Sequence, residues 1–307
     1  MSDRRRRSEP DESTMTGVWE VRGRNPAVGA FVLLLALGSV YFAVQIVAQA
    51  VFFGVGAALA GVPSSSRLVD LYRPALLAIV VATQLTLLLG AAAAIIRRWH
   101  TPKLARYLRL RSFAPGGMLL AAIGSLAIVA PAQIVARYLY DLVPSIRDLS
   151  QASAFLVRAD SPGELAAVLG ALALTPAICE EFFFRAYFQR TFERRVRAPW
   201  SFLVPGLVFA LFHQQVLGLP SLVLVGLYLS YLYFAFASPW PGVVAHLLYN
   251  AVQILAANGV AVLPGLDFDT GFAPGVAVGG LIVVGLVVAA SEYLRRSRED
   301  AAGARPV

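Results

Sequence analysis

Six side chains of the kind that activates water are scattered through apolar sequence. Glu180, Glu181 and Arg185 lie in PAICEEFFFRAYF, His213 closes LVFALFHQQ, and His246 and Asn250 lie in VVAHLLYNAVQ. An ionisable group inside a long apolar run costs several kcal/mol if the run lies in lipid, so such a group is paired or functional. Attack by an activated water on a carbonyl needs a base to deprotonate the water and donors for the oxyanion that follows. Carboxylates, imidazoles and a carboxamide supply both. A carboxylate in a low-dielectric pocket is also a stronger base than one in water.

Spacing refines this picture. Positions i and i+4 share a helix face. Glu181 and Arg185 are so related, with the acid first, which is the better order for a pair. Glu180 is turned by about 100° from Glu181, so one acid can be neutralised while its neighbour faces elsewhere. His246 and Asn250 share a face, as do Phe209 and His213, which lets the Phe209 ring pack beneath the imidazole. Taken singly, each item has a bland alternative. An intramembrane histidine can be an interhelical hydrogen-bonding residue, and a Glu–Arg pair can be a structural clip. Six such groups on three segments are harder to assign to packing alone.

The chain that must position them has 307 residues, of which 58% are hydrophobic and 14% charged, against about 25% charged in a soluble domain. Mean hydropathy is +0.68. Several apolar runs exceed the roughly 18 residues of a transmembrane helix and are too long for barrel strands. The expected fold is therefore all-α, a polytopic membrane helix bundle of about eight spans, near 28–59, 74–96, 116–136, 164–189, 200–217, 219–237, 241–258 and 274–294. The first run is too long for the apolar part of a signal peptide. No internal repeat is evident.

Basic residues fix an orientation. Arg4 to Arg7 with Arg22 and Arg24, the Arg97–Arg111 segment with Lys103, Arg190 to Arg197, and Arg295 to Arg298 all fall on one side if there are eight spans. The positive-inside rule makes that side cytoplasmic and puts both termini there. Asp267 and Asp269 suit the outer side. The net charge of +8 thus reads as topology, not as nucleic-acid binding. Four regions are expected: a disordered cytoplasmic tail over 1–25; N-terminal membrane helices and a basic interfacial segment over 26–160; a core over 161–260; and a last helix with a tail over 261–307. His100, in the basic segment, is expected to be solvated. Cys179 is the sole cysteine. No disulfide can form within the chain, and the residue reads as buried packing.

The motifs resemble a family. EEFFFR (Glu180–Arg185) fits E-E-x-x-x-R, FALFH (Phe209–His213) fits F-x-x-x-H, and HLLYN (His246–Asn250) fits H-x-x-x-N. In this order, across roughly 160–258, they are similar to the CPBP family, the CAAX-prenyl-protease and bacteriocin-processing (Abi) intramembrane endopeptidases. The resemblance implies a helical membrane endopeptidase acting on a membrane-anchored or lipid-tethered protein. Glu180 would be the base, His213 its helper in holding water or a metal, and His246 and Asn250 the oxyanion groups. Glu181 and Arg185 would support the site. The family is labelled metallo-endopeptidase, and Glu180, His213 and His246 would be the ligands of a zinc ion if one is bound. Activation of water by the glutamate without a metal is the other arrangement, and the motifs do not separate the two. A non-proteolytic immunity or assembly factor of the same fold, and a proton-coupled carrier, are the competing functions. No repeat of span pairs supports a carrier.

Depth raises a difficulty. On straight helices rising about 1.5 Å per residue, Glu180, His213 and His246 would lie about 15, 20 and 8 Å from the cytoplasmic ends of their spans. Pro176 and Pro205-Gly206 are the points where bending could reconcile them.

Overall fold

The computed structural model describes residues 15–58, 65–110, 114–143, 156–213, 218–260, 262 and 273–303. Among these residues it is helical throughout, without strands. Arg4–Arg7, Asp267 and Asp269 lie outside them. The helices are α1 (Val18–Val21), α2 (Pro26–Ala58), α3 (Ser65–Thr83), α4 (Ala92–Trp99), α5 (Leu104–Tyr107), α6 (Pro115–Leu142), α7 (Pro162–Leu169), α8 (Thr175–Glu180), α9 (Arg190–Glu193), α10 (Trp200–Phe212), α11 (Leu219–Phe236), α12 (Trp240–Ala257) and α13 (Pro274–Gly303). Three wide π-helical stretches, Gln84–Ala91, Gly170–Leu174 and Glu181–Gln189, join α3 to α4, α7 to α8, and α8 to α9.

The ends follow from local chemistry. Proline opens α6, α7, α11 and α12, where its missing N–H costs nothing. Ser161 caps α7 by accepting from the Glu164 amide at 3.2 Å. Ala237, in the left-handed region at φ 49°, stops α11.

The protein is a multi-pass membrane protein. Among the described residues six segments are long and apolar enough to cross: Pro26–Ala48, Arg73–Trp99, Pro115–Leu139, Pro162–Glu193, Leu219–Phe236 and Pro274–Ala301. The other two expected spans are helical, as α10 and α12, and are not among these six. The α10 helix has 13 residues, about 20 Å at 1.5 Å each against a hydrocarbon core of about 30 Å. The α12 helix carries the polar motif.

The C-terminal half of rod 162–193 is enclosed by its neighbours, while Leu174 and Ile178 remain exposed. Phe183, Phe184, Tyr187 and Phe188 are all fully buried on it, as expected of a helix enclosed on every side. Neighbouring helices are joined by side chains donating to backbone carbonyls. Ser125 of α6 donates to Ala245 O of α12, Ser221 of α11 to Ala132 O of α6 at 2.7 Å, and Tyr231 of α11 to Val288 O of α13 at 3.1 Å. Where α10 crosses α11, a Cβ on Gly226 would stand 2.5 Å from Gly206 O. Only glycine permits that approach.

Described residues inside the stretch expected to be a tail pack against the bundle. Trp19 stacks on Trp99 with ring centroids 4.7 Å apart, and Gly17 N donates to His100 O. His100 is fully buried, not solvated. Its Nδ1 is 2.6 Å from Glu20 Oε1, and Arg194 grips the same carboxylate at 2.6 and 3.1 Å. The fragment RRWHTPK looks interfacial by composition, but the acid that buries its histidine is 80 residues upstream and cannot be paired with it from sequence.

Candidate active site

Glu180 ends α8, and Glu181 begins the π-helical stretch that follows. Burial grades from the outside in: side-chain exposure is 22% for His213, 10% for Glu180, 5% for His246, and zero for Glu181 and Arg185. The inner layer is a charge clamp. Arg185 Nη1 donates to Glu181 Oε1 at 2.7 Å, and Nη2 donates to Gly226 O at 3.3 Å. The guanidinium lies 4.0 Å over the Phe209 ring, a cation–π contact in a dry setting. Phe209 meets the His213 ring edge-on at 4.6 Å and the His246 ring at 5.7 Å. One aromatic ring therefore touches the supporting cation and both imidazoles.

Both rings are oriented through Nδ1. His246 Nδ1 is 3.1 Å from Glu181 Oε1, and His213 Nδ1 is 2.8 Å from Phe209 O. A carboxylate and a carbonyl only accept, so each Nδ1 carries the hydrogen. Both Nε2 atoms point to Glu180 Oε2, at 3.7 Å from His213 and 4.0 Å from His246. These separations are too long for direct hydrogen bonds. Glu180 Oε2 is buried and has no hydrogen-bond partner, while Oε1 accepts from Gln84 Nε2 at 2.9 Å.

The depths estimated on straight rods do not keep these groups apart. The short α10 ends where His213 adopts a turn, and its imidazole reaches the Glu180 carboxylate. Asn250 is half-buried on the His246 face, and its amide nitrogen donates to Leu172 O at 3.3 Å. No hydrogen bond links Asn250 to Glu180, His213 or His246. Cys179 is fully buried and free.

Two functional contacts escaped the motifs. Gln84 comes from the second span, where a lone carboxamide in TQLTLLLGAAAA was the available signal. Gly242 of α12 lets Glu181 approach, since a Cβ there would stand 2.5 Å from Glu181 Oε2.

Zinc takes nitrogen and oxygen ligands at about 2.0–2.2 Å, roughly 3.4 Å apart across a tetrahedral angle. Glu180 Oε2 stands 3.7 Å from His213 Nε2 and 4.0 Å from His246 Nε2, both wider than that. Among the described residues no group of three or more His, Cys, Asp and Glu side chains is arranged to hold a metal ion. No step below passes through one.

The chain is thus a multi-pass helical membrane protein that buries two carboxylates, two oriented imidazoles and a guanidinium in one polar cluster. Residues 162–252 match the family model described as type II CAAX prenyl endopeptidase Rce1-like. That span holds all three motifs, and the CPBP resemblance drawn from them is borne out. A membrane-embedded protease is what the match implies. No curated protein and no solved structure gives a match.

Proposed function

We propose that the protein is an intramembrane endopeptidase that hydrolyses a peptide bond in a membrane-associated or lipid-tethered protein, with water activated by Glu180. One observation carries the proposal. A buried, unpartnered carboxylate oxygen faces two imidazole nitrogens at 3.7 and 4.0 Å. Atoms so spaced suit one shared water.

In this scheme Glu180 Oε2 and the lone pair on His213 Nε2 accept the two hydrogens of that water, which turns its oxygen lone pair toward the substrate carbonyl. Glu180 takes one proton as the water oxygen bonds to the carbonyl carbon, and the carbonyl electrons move onto oxygen. To donate to this oxyanion from Nε2 while Nδ1 stays on Glu181, His246 must carry both ring protons. Glu180, Glu181, Arg185 and His246 then sum to zero charge, the inexpensive state for a buried cluster. The second Asn250 amide hydrogen is the other donor. The proton on Glu180 passes to the leaving nitrogen as the C–N bond breaks, giving an acid and an amine. Glu181, Arg185 and Phe209 hold the His246 and His213 rings in place.

The match names CAAX prenyl endopeptidases, so the substrate class proposed is a chain ending in a lipidated Cys-aliphatic-aliphatic-X sequence or a similarly tethered terminus. The four basic clusters support a cytoplasmic location for both termini. The test uses proteoliposomes of wild type and Glu180→Gln with an internally quenched S-farnesylated Cys-aliphatic-aliphatic-X peptide. Membrane proteomics of the two strains runs beside it. Cleavage by wild type alone, with a terminal segment retained only in the variant, is expected. Wild type that leaves the peptide intact, or a variant that still cuts it, overturns the proposal.

A further inference from the structure

Gln84 is far in sequence from the three motifs, yet its carboxamide touches the proposed base. Its Nε2 is 2.9 Å from Glu180 Oε1, and the residue is 2% exposed. An ionised carboxylate can only accept, so the amide must present its nitrogen to Glu180. The Gln84 carbonyl oxygen then faces away, buried and without a hydrogen-bond partner. The next residue up the chain is also fixed. Thr83 Oγ1 donates to Ile79 O at 2.7 Å and accepts from Gln45 Nε2 of α2 at 3.0 Å. The turn carrying Gln84 is thus tied both to the first span and to the base.

We propose that Gln84 is a positioning residue that holds Glu180 Oε1 and so makes Oε2 the oxygen that exchanges protons during hydrolysis. The inference rests on the hydrolytic function proposed above. The two oxygens of a carboxylate are chemically alike until something distinguishes them. Gln84 occupies Oε1, which leaves Oε2 facing His213 Nε2 and His246 Nε2. A proton placed on Oε1 would weaken that oxygen as an acceptor for the Gln84 N–H, whereas a proton on Oε2 leaves the bond from Gln84 to Oε1 in place. On Oε2 the proton lies on the side of the attacking water, from which it can pass to the leaving nitrogen. Gln84 neither gives nor takes a proton. It fixes where the single transferred proton is held. This assigns the first two spans, which no motif covers, a part in aiming the base.

Wild type, Gln84→Met, Gln84→Asn and Glu180→Gln are compared in proteoliposomes with the quenched farnesylated peptide, and thermal unfolding of each is recorded. Methionine keeps the length of the side chain and removes the donor. The expected result is a kcat lower by about 10–100-fold, as for other groups that orient a catalytic side chain, with KM within about twofold of wild type. Asparagine keeps the donor on a shorter stem and should recover part of kcat. Wild-type kcat in Gln84→Met sinks the proposal. So does a raised KM with intact kcat, which would make Gln84 a substrate contact. If Gln84→Met does not fold, Gln84→Leu, which also lacks the donor, decides: wild-type kcat overturns the proposal, and reduced kcat with unchanged Tm supports it. Glu180→Gln separates the two levels. If it is inactive while Gln84→Met is fully active, only the positioning role falls. If it still cleaves, the hydrolytic function falls and the positioning role with it.

Discussion

Replacing Arg185 by methionine tests whether the inner charge clamp holds the site together. The Arg185–Glu181 pair is 2.7 Å long and neither side chain is exposed. At an effective dielectric of about 20, that separation corresponds to about 6 kcal/mol of attraction. Desolvation of both ions cancels much of it, so the pair as a whole adds little net stability. Removing one partner is different, because it strands a buried charge at a cost of about 3–5 kcal/mol. Arg185→Met also loses the bond to Gly226 O and the contact with Phe209. His246 still meets Glu181 at 3.1 Å, which places the expected loss near the lower end, about 3 kcal/mol. Glu181→Gln strands the guanidinium and should cost a similar amount. The double variant Glu181→Gln/Arg185→Met strands no charge, and its loss should be at least about 2 kcal/mol smaller than the sum of the singles. Equilibrium unfolding of the four proteins in one detergent–lipid mixture measures this. Strict additivity, or an Arg185→Met protein as stable as wild type, would refute the reasoning that a buried countercharge holds Glu181.

Gly242→Ala places a methyl 2.5 Å from Glu181 Oε2; overpacking of this kind costs about 1–3 kcal/mol. Cleavage of the quenched peptide should fall further than unfolding temperature suggests, because His246 moves with Glu181. His213→Asn should lower kcat by about 10²–10⁴-fold if the ring helps to hold the attacking water, and single-turnover cleavage reads this apart from binding. Burial alone would raise the Glu20 carboxyl, but the hydrogen bonds and charges of His100 and Arg194 outweigh it and hold it down at about 2 against an ordinary 4.5. A depressed carboxyl stabilises the fold above its ordinary value and loses that contribution as pH falls toward its folded value. Wild type should therefore be more stable than Glu20→Gln at pH 6, and the difference should shrink between about pH 4.5 and pH 2 in unfolding measurements at each pH.

The helical membrane class and the segments bearing the polar groups were legible because hydropathy and i, i+4 spacing are properties of one chain segment at a time. The Glu181–Arg185 pair and the packing of Phe209 on His213 are local, and both are found as spacing predicts. Contacts between distant segments were not legible. Gln84 was passed over because ionisable groups stand out in an apolar run, whereas a neutral amide resembles the serines and threonines that merely join helices. His100 looked solvated because four basic residues lie within six positions of it, while the acid that contacts it lies 80 residues upstream in the sequence. Six of the eight expected spans are found among the described residues as helices long and apolar enough to cross, and the other two segments are helical, as α10 and α12.

The wide helical stretches account for what a straight-rod picture misplaced. Each of the three touches the site. Gln84 begins one, Leu172 in the second accepts from Asn250, and the third carries Glu181 and Arg185. Such turns are rare and gather at functional sites. In a π-helix the bonds run i to i+5, so the side chains beyond it are rotated and displaced relative to a regular helix. The α8 helix, which ends at Glu180, is bracketed by two of these stretches and faces the third. That arrangement lets two adjacent glutamates take opposite tasks. Glu181 turns inward to Arg185 and Gly242, and Glu180 turns toward the two imidazoles. If the widening is what separates them, deleting one residue within Glu181–Gln189, such as Phe182, should restore regular winding and shift Arg185 from the i+4 to the i+3 position of Glu181, out of register with Gly226 and Phe209. Cleavage should then vanish even where the protein still inserts and remains helical by circular dichroism. A deletion variant that keeps wild-type kcat would show that the two carboxylates do not depend on the wide turn for their separate orientations.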